Sequence, residues 1–344
     1  MVSSWLRCFK LGCRKSTSTV GPDRNKGKDG VAEGEGFIRK FRWEEIEVVT
    51  NDFSRVIGRG GFSNVYLANL SGSQGAVKIH AGSYRLNQVF RQELDILLRL
   101  RHDNIVKLLG YCDDLDEGAM VFEYVPNGNL QEKLHDSELL PWKTRIAIAF
   151  QLAQAVEYLH EKCSLQIVHG DIKPSNVLLD ECFNCKLCDF GSAKMGFSST
   201  VKPPSCSKQV MVGSPGYTDP HYLRTGLASK KNDVYSLGVI MLELVTGMKA
   251  FCPVREQLLT SIVAPCLRDI DEHGAAEKVA ALVDPRLCGE FDLEEARALL
   301  LIAALCLHQS LTVRPSASQI IKNIKEKINS MDLQGKDSLP IATI

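Results

Sequence analysis

The hydrophobic positions of this chain form short strand-like runs near its beginning and longer helical repeats further along. Residues 84–100 carry apolar side chains three and four positions apart, which predicts a helix with one buried face. These side chains are Val89, Phe90, Leu94, Leu97 and Leu98. Strands are predicted over residues 57–66, interrupted by a turn, and over residues 76–78 and 120–125. Helices are also predicted over residues 41–53, 233–245, 291–307 and 316–328. The pattern indicates a small strand-rich part followed by a larger helical part.

The turn inside residues 57–66 is rich in glycine. Gly58 and Gly60 would let backbone amides close over an anionic group, because a Cβ would hold the chain away from it. On its own such a loop could be any hairpin. Lys78 follows in a short apolar strand, and a lone lysine is usually a solvated charge. Directly after an Ala-Val pair and just before a predicted helix, Lys78 is instead a candidate for binding phosphate.

The most informative stretch is residues 169–176, His-Gly-Asp-Ile-Lys-Pro-Ser-Asn, followed thirteen residues on by an Asp-Phe-Gly tripeptide that begins at Asp189. This order places Asp171, Asn176 and Asp189 at the spacing that phosphoryl transfer from ATP requires. Asp171 can orient a substrate hydroxyl and accept its proton, whereas Asn176 and Asp189 can hold the metal ions that neutralise the phosphates. Each motif alone is a weak signal, but the two in this order are a strong one.

Together with the glycine-rich turn and Lys78, these motifs resemble the signature of protein kinases. Further segments resemble one branch of that family, the plant receptor-like kinases, whose relatives include the Pelle and interleukin-receptor-associated kinases. These segments are residues 101–112, 124–130, 213–217 and 283–287. The likeness extends from Phe41 to Ile328. With no ectodomain expected, the chain looks like a receptor-like cytoplasmic kinase.

The resemblance implies an α+β fold with two lobes. A small lobe, residues 41–125, is expected to hold an antiparallel β-sheet with one main helix, and a mainly α-helical large lobe would follow over residues 126–328. ATP would bind in the cleft between them with Mg²⁺, or with Mn²⁺ in its place, and its γ-phosphoryl would pass to hydroxyls of protein substrates. Lys173 and Ser214 are the residue types that accompany Ser or Thr substrates in this family. A membrane receptor kinase is the expected partner. The alternative is a pseudokinase scaffold, which would bind nucleotide and partner proteins without efficient catalysis.

The same resemblance assigns the site residues. The catalytic group comprises Asp171, Lys173, Asn176, Lys78 and Glu93. The metal ligands would be Asn176 and Asp189. The nucleotide would contact Ile57, Gly58, Arg59, Gly60, Gly61, Phe62, Ser63, Asn64, Val65, Ala76, Lys78, Phe122, Glu123, Val125 and Leu178. Glu93 is the best acidic partner for Lys78, with Glu132 as an alternative partner and a simple surface role as the other reading of Glu93.

Four residues near this site have more specific expected roles. Glu123 and Val125 would offer backbone groups to adenine. Phe122 would lie at the back of the adenine pocket. Its simpler role is in the apolar strand core, which is compatible with that place. Asp233 would hold the catalytic loop from below.

Three residues depart from the family pattern. Ser63 replaces the third glycine of the loop, which should stiffen the loop without emptying the phosphate site. Gly170 replaces the arginine that in other kinases pairs with a phosphate on the activation segment, so switching of that form is in doubt. His221 takes a position that is acidic in the family, where it is expected to face Arg314. The activation segment also carries hydroxyls that are either regulatory phosphorylation sites or parts of an exposed polar loop: Ser198, Ser199, Thr200, Ser205 and Ser207.

Length, charge and cysteine spacing show which other classes of protein and of binding site can be set aside. The chain has 344 residues with 44% apolar content, enough for one kinase domain and an extension. Its 41 basic residues balance 41 acidic ones, so net charge gives no reason to expect a nucleic-acid partner. The longest apolar stretch, residues 298–307, is too short to span a bilayer, and no signal-peptide core is present, which predicts a cytosolic location.

Three cysteines have the spacing of a metal or iron–sulfur site: Cys182, Cys185 and Cys188. No fourth ligand follows at a suitable spacing, so we favour free thiols that act as small hydrophobic side chains over metal ligands.

Residues 1–40 are expected to form a basic, disordered N-terminal extension. Within residues 1–28, seven Lys or Arg oppose one Asp, which is a net charge of +6. Palmitoyl groups on Cys8 and Cys13, beside this charge and nearby aromatic residues, would make a two-signal anchor at the inner face of the plasma membrane. Val2 excludes myristoylation, which needs glycine there. The alternative is a disordered basic tail with incidental thiols. Residues 329–344 are expected to form a flexible C-terminal tail.

Overall fold

The structure is a computed structural model of the chain. It describes residues 38–60, 63–80, 84–114, 118–135, 139–196, 214–268, 270 and 275–328. Several predictions fall outside these residues: those on Cys8 and Cys13, on Gly61 and Phe62, on the five activation-segment hydroxyls, and on the tail of residues 329–344. The described residues all belong to one compact unit, Phe37–Ile344.

A six-stranded sheet occupies the first part of the described chain. Its strands are β1 (Arg39–Lys40), β2 (Val56–Arg59), β3 (Ser63–Leu70), β4 (Ser73–His80), β5 (Leu108–Cys112) and β6 (Gly118–Glu123). The spatial order is β1-β5-β6-β4-β3-β2, and every neighbouring pair is antiparallel except β1 with β5. The strand, turn and strand predicted over residues 57–66 correspond to β2, the glycine-rich loop and β3.

Two helices accompany this sheet, α1 (Trp43–Val49) and α2 (Tyr84–Leu97). Helix α2 confirms the amphipathic helix that was predicted over residues 84–100, although it ends three residues earlier. Phe90, Leu94 and Leu97 are buried as the helical spacing requires. Leu98 is exposed because it lies beyond the last turn of α2, so its predicted place on the buried face is wrong.

Helices dominate the part of the chain after β6, which we call the large lobe. Its helices are α3 (Leu130–His135), α4 (Trp142–Glu157), α5 (Pro220–Thr225), α6 (Lys230–Thr246), α7 (Leu259–Arg268), α8 (Ala275–Leu282), α9 (Leu293–Cys306) and α10 (Ala317–Lys327). Its short strands are β7 (Ile167–Val168), β8 (Val177–Leu179), β9 (Cys185–Leu187), β10 (Lys194–Met195), β11 (Phe251–Cys252) and β12 (Gln257–Leu258). A sheet lobe with one main helix before a helical lobe confirms the predicted α+β bilobal fold.

Helix α6 forms the centre of the large lobe. Every residue from Asp233 to Thr246 is buried, so this helix is surrounded on all sides, with α4 and α9 packed against it. It ends where Gly247 adopts a left-handed φ of 65°, the conformation that commonly stops a helix. A Cβ on Gly247 would lie 2.3 Å from Asp284 Oδ2, so only glycine fits this approach. The consequence for the site is that Asp233 is held rigidly inside the protein.

Two classes of feature are missing from the ranges that the structure describes. No helix there combines the length and the apolar character needed to cross a membrane. No group of three or more His, Cys, Asp or Glu side chains there is arranged to hold a metal ion. Cys185 is buried in β9, and burial raises the pKa of its thiol, whereas Cys182 is exposed at the turn between β8 and β9.

Candidate active site

Lys78, Glu93 and Asp189 meet where the sheet faces the large lobe. Lys78 lies on β4, Glu93 on α2, and Asp189 directly before a short 3₁₀ turn, Phe190–Ser192. Lys78 Nζ donates to Glu93 Oε1 and Oε2 at 2.8 and 3.0 Å, and to Asp189 Oδ1 at 2.8 Å. The predicted partner of Lys78 is therefore present, and Glu132 is not needed for that role.

The charges of this cluster stabilise one another. Burial alone would lower the pKa of Lys78, but the carboxylates of Glu93 and Asp189 raise it above its usual range. Burial alone would raise the pKa of Asp189, but the charge and hydrogen bond of Lys78 lower it to about 2. The Glu93 side chain is only 1% exposed, whereas that of Asp189 is 48% exposed. Asp189 is therefore an ionised carboxylate with one side open to a ligand.

Asp171 is held by a second cluster in the loop between β7 and β8. Lys173 Nζ donates to Asp171 Oδ2 at 2.7 Å, and Ser214 Oγ donates to Asp171 Oδ1 at 3.0 Å. Lys173 Nζ also donates to Ser214 Oγ at 2.9 Å, which closes the triangle. Asn176 Nδ2 donates to the Asp171 carbonyl at 2.9 Å. The structure thus brings together a carboxylate, an ammonium and a hydroxyl from segments more than forty residues apart.

Asp233 anchors this loop from the first turn of α6. Its two oxygens accept the backbone N–H groups of His169 and Gly170, each at 2.8 Å. His160 Nε2 lies 2.8 Å from Asp233 Oδ2. Burial alone would raise the pKa of Asp233, but these hydrogen bonds and the nearby histidines lower it. The predicted position of Asp233 beneath the catalytic loop is confirmed.

Replacing Asp233 by Asn should destabilise the protein in a pH-dependent way. The folded-state pKa of Asp233 is depressed, so its contribution to stability is fully present above the unfolded value of about 3.9. That contribution should disappear as pH falls from there through the lower folded-state pKa. Urea unfolding of wild type and Asp233→Asn at several pH values should show a loss of about 1–3 kcal/mol near neutrality, which shrinks below about pH 4. A difference that does not change with pH would contradict this.

Gly170 has a φ of 79°, a backbone conformation that residues other than glycine rarely adopt. A pocket beneath the catalytic loop is lined by Gly170, Asp171, Asp233, Ser214 and Tyr217, among others. No side chain from residue 170 enters this pocket, because glycine has none.

The glycine-rich loop is closed by contacts between its two ends. The Gly60 N–H donates to the Ser63 carbonyl at 2.7 Å, and a Cβ on Gly60 would lie 3.0 Å from Ser63 Oγ. Ser63 also pairs with His80 at the end of β4. Ser63 therefore belongs to the strand, and a side chain at position 60 would crowd the Ser63 hydroxyl.

Other predicted nucleotide contacts lie on strands around the same cleft. Val65 pairs with Lys78, and Ala76 pairs with Phe122, which is buried in the main core. Phe122 is therefore part of the apolar core, a role that is compatible with its expected place at the back of the adenine pocket. The Glu123 N–H donates to the Lys107 carbonyl at 3.1 Å, so this amide is not available to a ligand.

The expected contact between His221 and Arg314 is replaced by a different pair. Arg314 Nη1 donates to Asp219 Oδ2 at 2.6 Å and Arg314 Nη2 donates to Asp219 Oδ1 at 2.9 Å. Both side chains are almost fully buried. Asp219 also caps α5, since its Oδ1 accepts the His221 N–H at 2.9 Å. The acid that meets Arg314 thus lies two residues before His221, and the expectation was wrong.

Sequence reasoning missed two residues of the site, Asp219 and His80. An Asp directly before Pro220 is a typical helix N-cap signal, which could have identified Asp219 as a buried acceptor. His80 lies two residues after Lys78 on β4, so both side chains are on one face of the strand. His80 Nε2 lies 3.2 Å from Glu93 Oε2. The two-residue spacing of Lys78 and His80 was visible in the sequence, but their shared contact with Glu93 was not.

Comparison with known proteins agrees with this geometry. The family model described as "Protein kinase domain" matches residues 52–324. A probable receptor-like protein kinase of Arabidopsis thaliana is 54% identical over 317 residues, covering 89% of this chain and 93% of that protein. The salt tolerance receptor-like cytoplasmic kinase 1 of Oryza sativa subsp. japonica is 52% identical over 302 residues, covering 85% of this chain and 81% of that protein. A probable LRR receptor-like serine/threonine-protein kinase of Arabidopsis thaliana is 36% identical over 88% of this chain but 34% of its own length. This chain belongs to the protein kinase family, in its branch of plant receptor-like kinases.

Proposed function

We propose that this enzyme transfers the γ-phosphoryl group of Mg-ATP to Ser or Thr hydroxyls of proteins. The observation that carries the proposal is the bridge of Lys78 Nζ to Glu93 and to Asp189, 2.8 Å to each. Through these contacts Lys78 links strand β4 to helix α2 and to the segment that carries Asp189. Protein kinases as a family use ATP with a divalent metal ion, and the names of relatives that include serine/threonine kinases support the choice of hydroxyl.

The residues present fit Mg-ATP. Asp189 offers an ionised, half-exposed carboxylate, and Asn176 offers an amide oxygen, since its Nδ2 is used by the Asp171 carbonyl. Carboxylate and amide oxygens are the ligands that Mg²⁺ prefers, with Mn²⁺ as an alternative ion. When bound, Mg-ATP supplies the transferable phosphoryl group, with the metal ions neutralising the phosphate charge.

The chain's own residues would position the reactants rather than form covalent intermediates. Asp171 would orient the substrate hydroxyl and accept its proton. Lys173 and Ser214 would hold the Asp171 carboxylate in place, and the charge of Lys173 offsets that of the carboxylate. Lys78 would hold the phosphates while Glu93 keeps its ammonium in position. The alternative, a pseudokinase scaffold, is not supported, because all of these side chains are present and in contact.

The proposal predicts different defects for Lys78→Met and Asp189→Asn. Lys78→Met should lower phosphate incorporation into a generic protein substrate far more than it weakens nucleotide binding, because the lysine charge matters most as the phosphoryl group moves. Asp189→Asn should also lose metal-dependent nucleotide binding. Labelled phosphate incorporation and nucleotide titrations with and without Mg²⁺ measure both effects. Wild-type incorporation by both variants would refute the kinase mechanism.

We further propose that the protein acts beside a membrane receptor kinase, at the inner face of the plasma membrane. The support is the printed name of the rice relative, a receptor-like cytoplasmic kinase, and the basic extension with Cys8 and Cys13. One acyl chain binds membranes only marginally, whereas two chains, or one with a basic patch, hold firmly.

Changing Cys8 and Cys13 together to Ser should therefore release a fluorescent fusion from membranes, while kinase activity in vitro stays unchanged. Fractionation with and without hydroxylamine, which cleaves thioesters, measures the anchor. A cytosolic wild-type protein, or a membrane fraction that resists hydroxylamine, would contradict palmitoylation.

A further inference from the structure

His80 is a buried histidine that no step of the proposed mechanism uses. Its side chain is 6% exposed, and its Nε2 lies 3.2 Å from Oε2 of Glu93, the carboxylate that holds Lys78. Its ring packs edge-on against Phe90 of α2, with centroids 5.5 Å apart. Gly118 faces His80 across the β4–β6 pair, and a Cβ on Gly118 would lie 2.5 Å from the Phe90 ring. The contact is therefore enclosed by strand and helix together.

The hydrogen-bond geometry determines which form of the ring fits. The Glu93 carboxylate is ionised, since Lys78 and His80 together offset its burial and lower its pKa, so it only accepts hydrogen bonds. Nε2 of His80 must then carry the proton. Nδ1 is buried and has no hydrogen-bond partner among the residues that the structure describes. In the neutral ring Nδ1 carries a lone pair, whereas in the protonated ring it would carry a buried N–H with no acceptor among the described residues, which is more costly.

We infer that His80 is a positioning residue for phosphoryl transfer: a neutral Nε2–H donor that orients Glu93 toward Lys78. The inference rests on the proposed function. Glu93 Oε2 receives hydrogen bonds from both Lys78 and His80, while Oε1 receives one from Lys78. Lys78 and His80 donate from neighbouring positions on one face of β4. Together they restrict rotation of the Glu93 carboxylate. Because His80 also packs on Phe90, it couples this orientation to the position of α2.

Two substitutions separate this role from simple core packing. His80→Leu keeps apolar contact with Phe90 but removes the donor, whereas His80→Gln keeps an N–H donor at a similar distance from the backbone. His80→Leu should lower kcat by about tenfold with less than about threefold change in the Kd for nucleotide, as expected for loss of a group that orients another. His80→Gln should recover kcat to within about threefold of wild type. Melting temperatures measured alongside show how much of each effect comes from stability.

Wild-type kcat in a folded His80→Leu variant would overturn the inference, and so would a His80→Gln variant no more active than His80→Leu. Ring ¹⁵N spectra of the full-length wild-type protein report the tautomer of His80 without any substitution. The His80 signals are assigned by their absence from the spectrum of His80→Gln. They should show a protonated Nε2 and an unprotonated Nδ1 near neutral pH. A protonated Nδ1 would overturn the inference. If wild type transfers no phosphate, the proposed function fails, whereas these spectra still test the hydrogen bond.

Discussion

Asp171→Asn is expected to lower kcat for a protein or peptide substrate by about 10²–10⁴-fold, the usual contribution of a positioned general base. The amide has nearly the same shape as the carboxylate, but it cannot accept the hydroxyl proton. It also loses the charge that Lys173 meets at 2.7 Å. The Kd for nucleotide should change little, because no proposed nucleotide contact is removed. Steady-state kinetics with a nucleotide titration measure both quantities.

Asp95→Asn is a matched control for this substitution. Asp95 is half exposed on α2 and pairs with Arg99 four residues along at 3.0 Å, so its loss should leave kcat within about twofold. If Asp171→Asn retains wild-type kcat while Asp189→Asn is inactive, Asp171 is not the base. Another acceptor near Ser214 would then have to be sought.

Arg314→Ala is expected to lower the free energy of unfolding by about 3–5 kcal/mol, because it leaves the buried carboxylate of Asp219 without its charged partner. The loss should be large, since Arg314 also donates from Nε to the His308 carbonyl at 2.8 Å and from Nη1 to the Lys231 carbonyl at 2.9 Å. For a domain of this size the melting temperature should fall by roughly 6–20 °C. Calorimetry or circular dichroism measures it.

His221 supplies the control for Arg314. Neither His221→Ala nor His221→Glu should shift the melting temperature by more than about 2 °C, because Asp219 already occupies the guanidinium group. A stabilisation by His221→Glu that disappears in an Arg314→Ala background would show that His221, and not Asp219, is the natural partner position.

Local patterns in the sequence predicted the helix and the glycine-rich turn on which site residues lie. The helical spacing of α2 is confirmed at Phe90, Leu94 and Leu97, because an amphipathic period depends only on residues within a few turns. The glycine-rich loop was visible for the same reason: its turn is formed by adjacent residues. The pairing of Lys78 with Glu93 was also predicted, but from the resemblance to kinases rather than from the pattern itself.

The sequence by itself determined the two-lobed fold class and the order of the motifs, and it supplied the proposal for which side chains carry the chemistry. The resemblance to kinases had implied the contact of Lys78 with Glu93 and the place of Asp233 beneath the catalytic loop. Only the tertiary structure decided the other contacts. Asp219 and Arg314 are 95 residues apart, and Ser214 lies 43 residues from Asp171. Such contacts depend on how helices and loops pack, and a shift of two residues, from His221 to Asp219, changes the partner of a buried charge. The physical reason is that spacing along the chain sets periodicity and turns, whereas the pairing of buried charges is set by packing and desolvation across the whole fold.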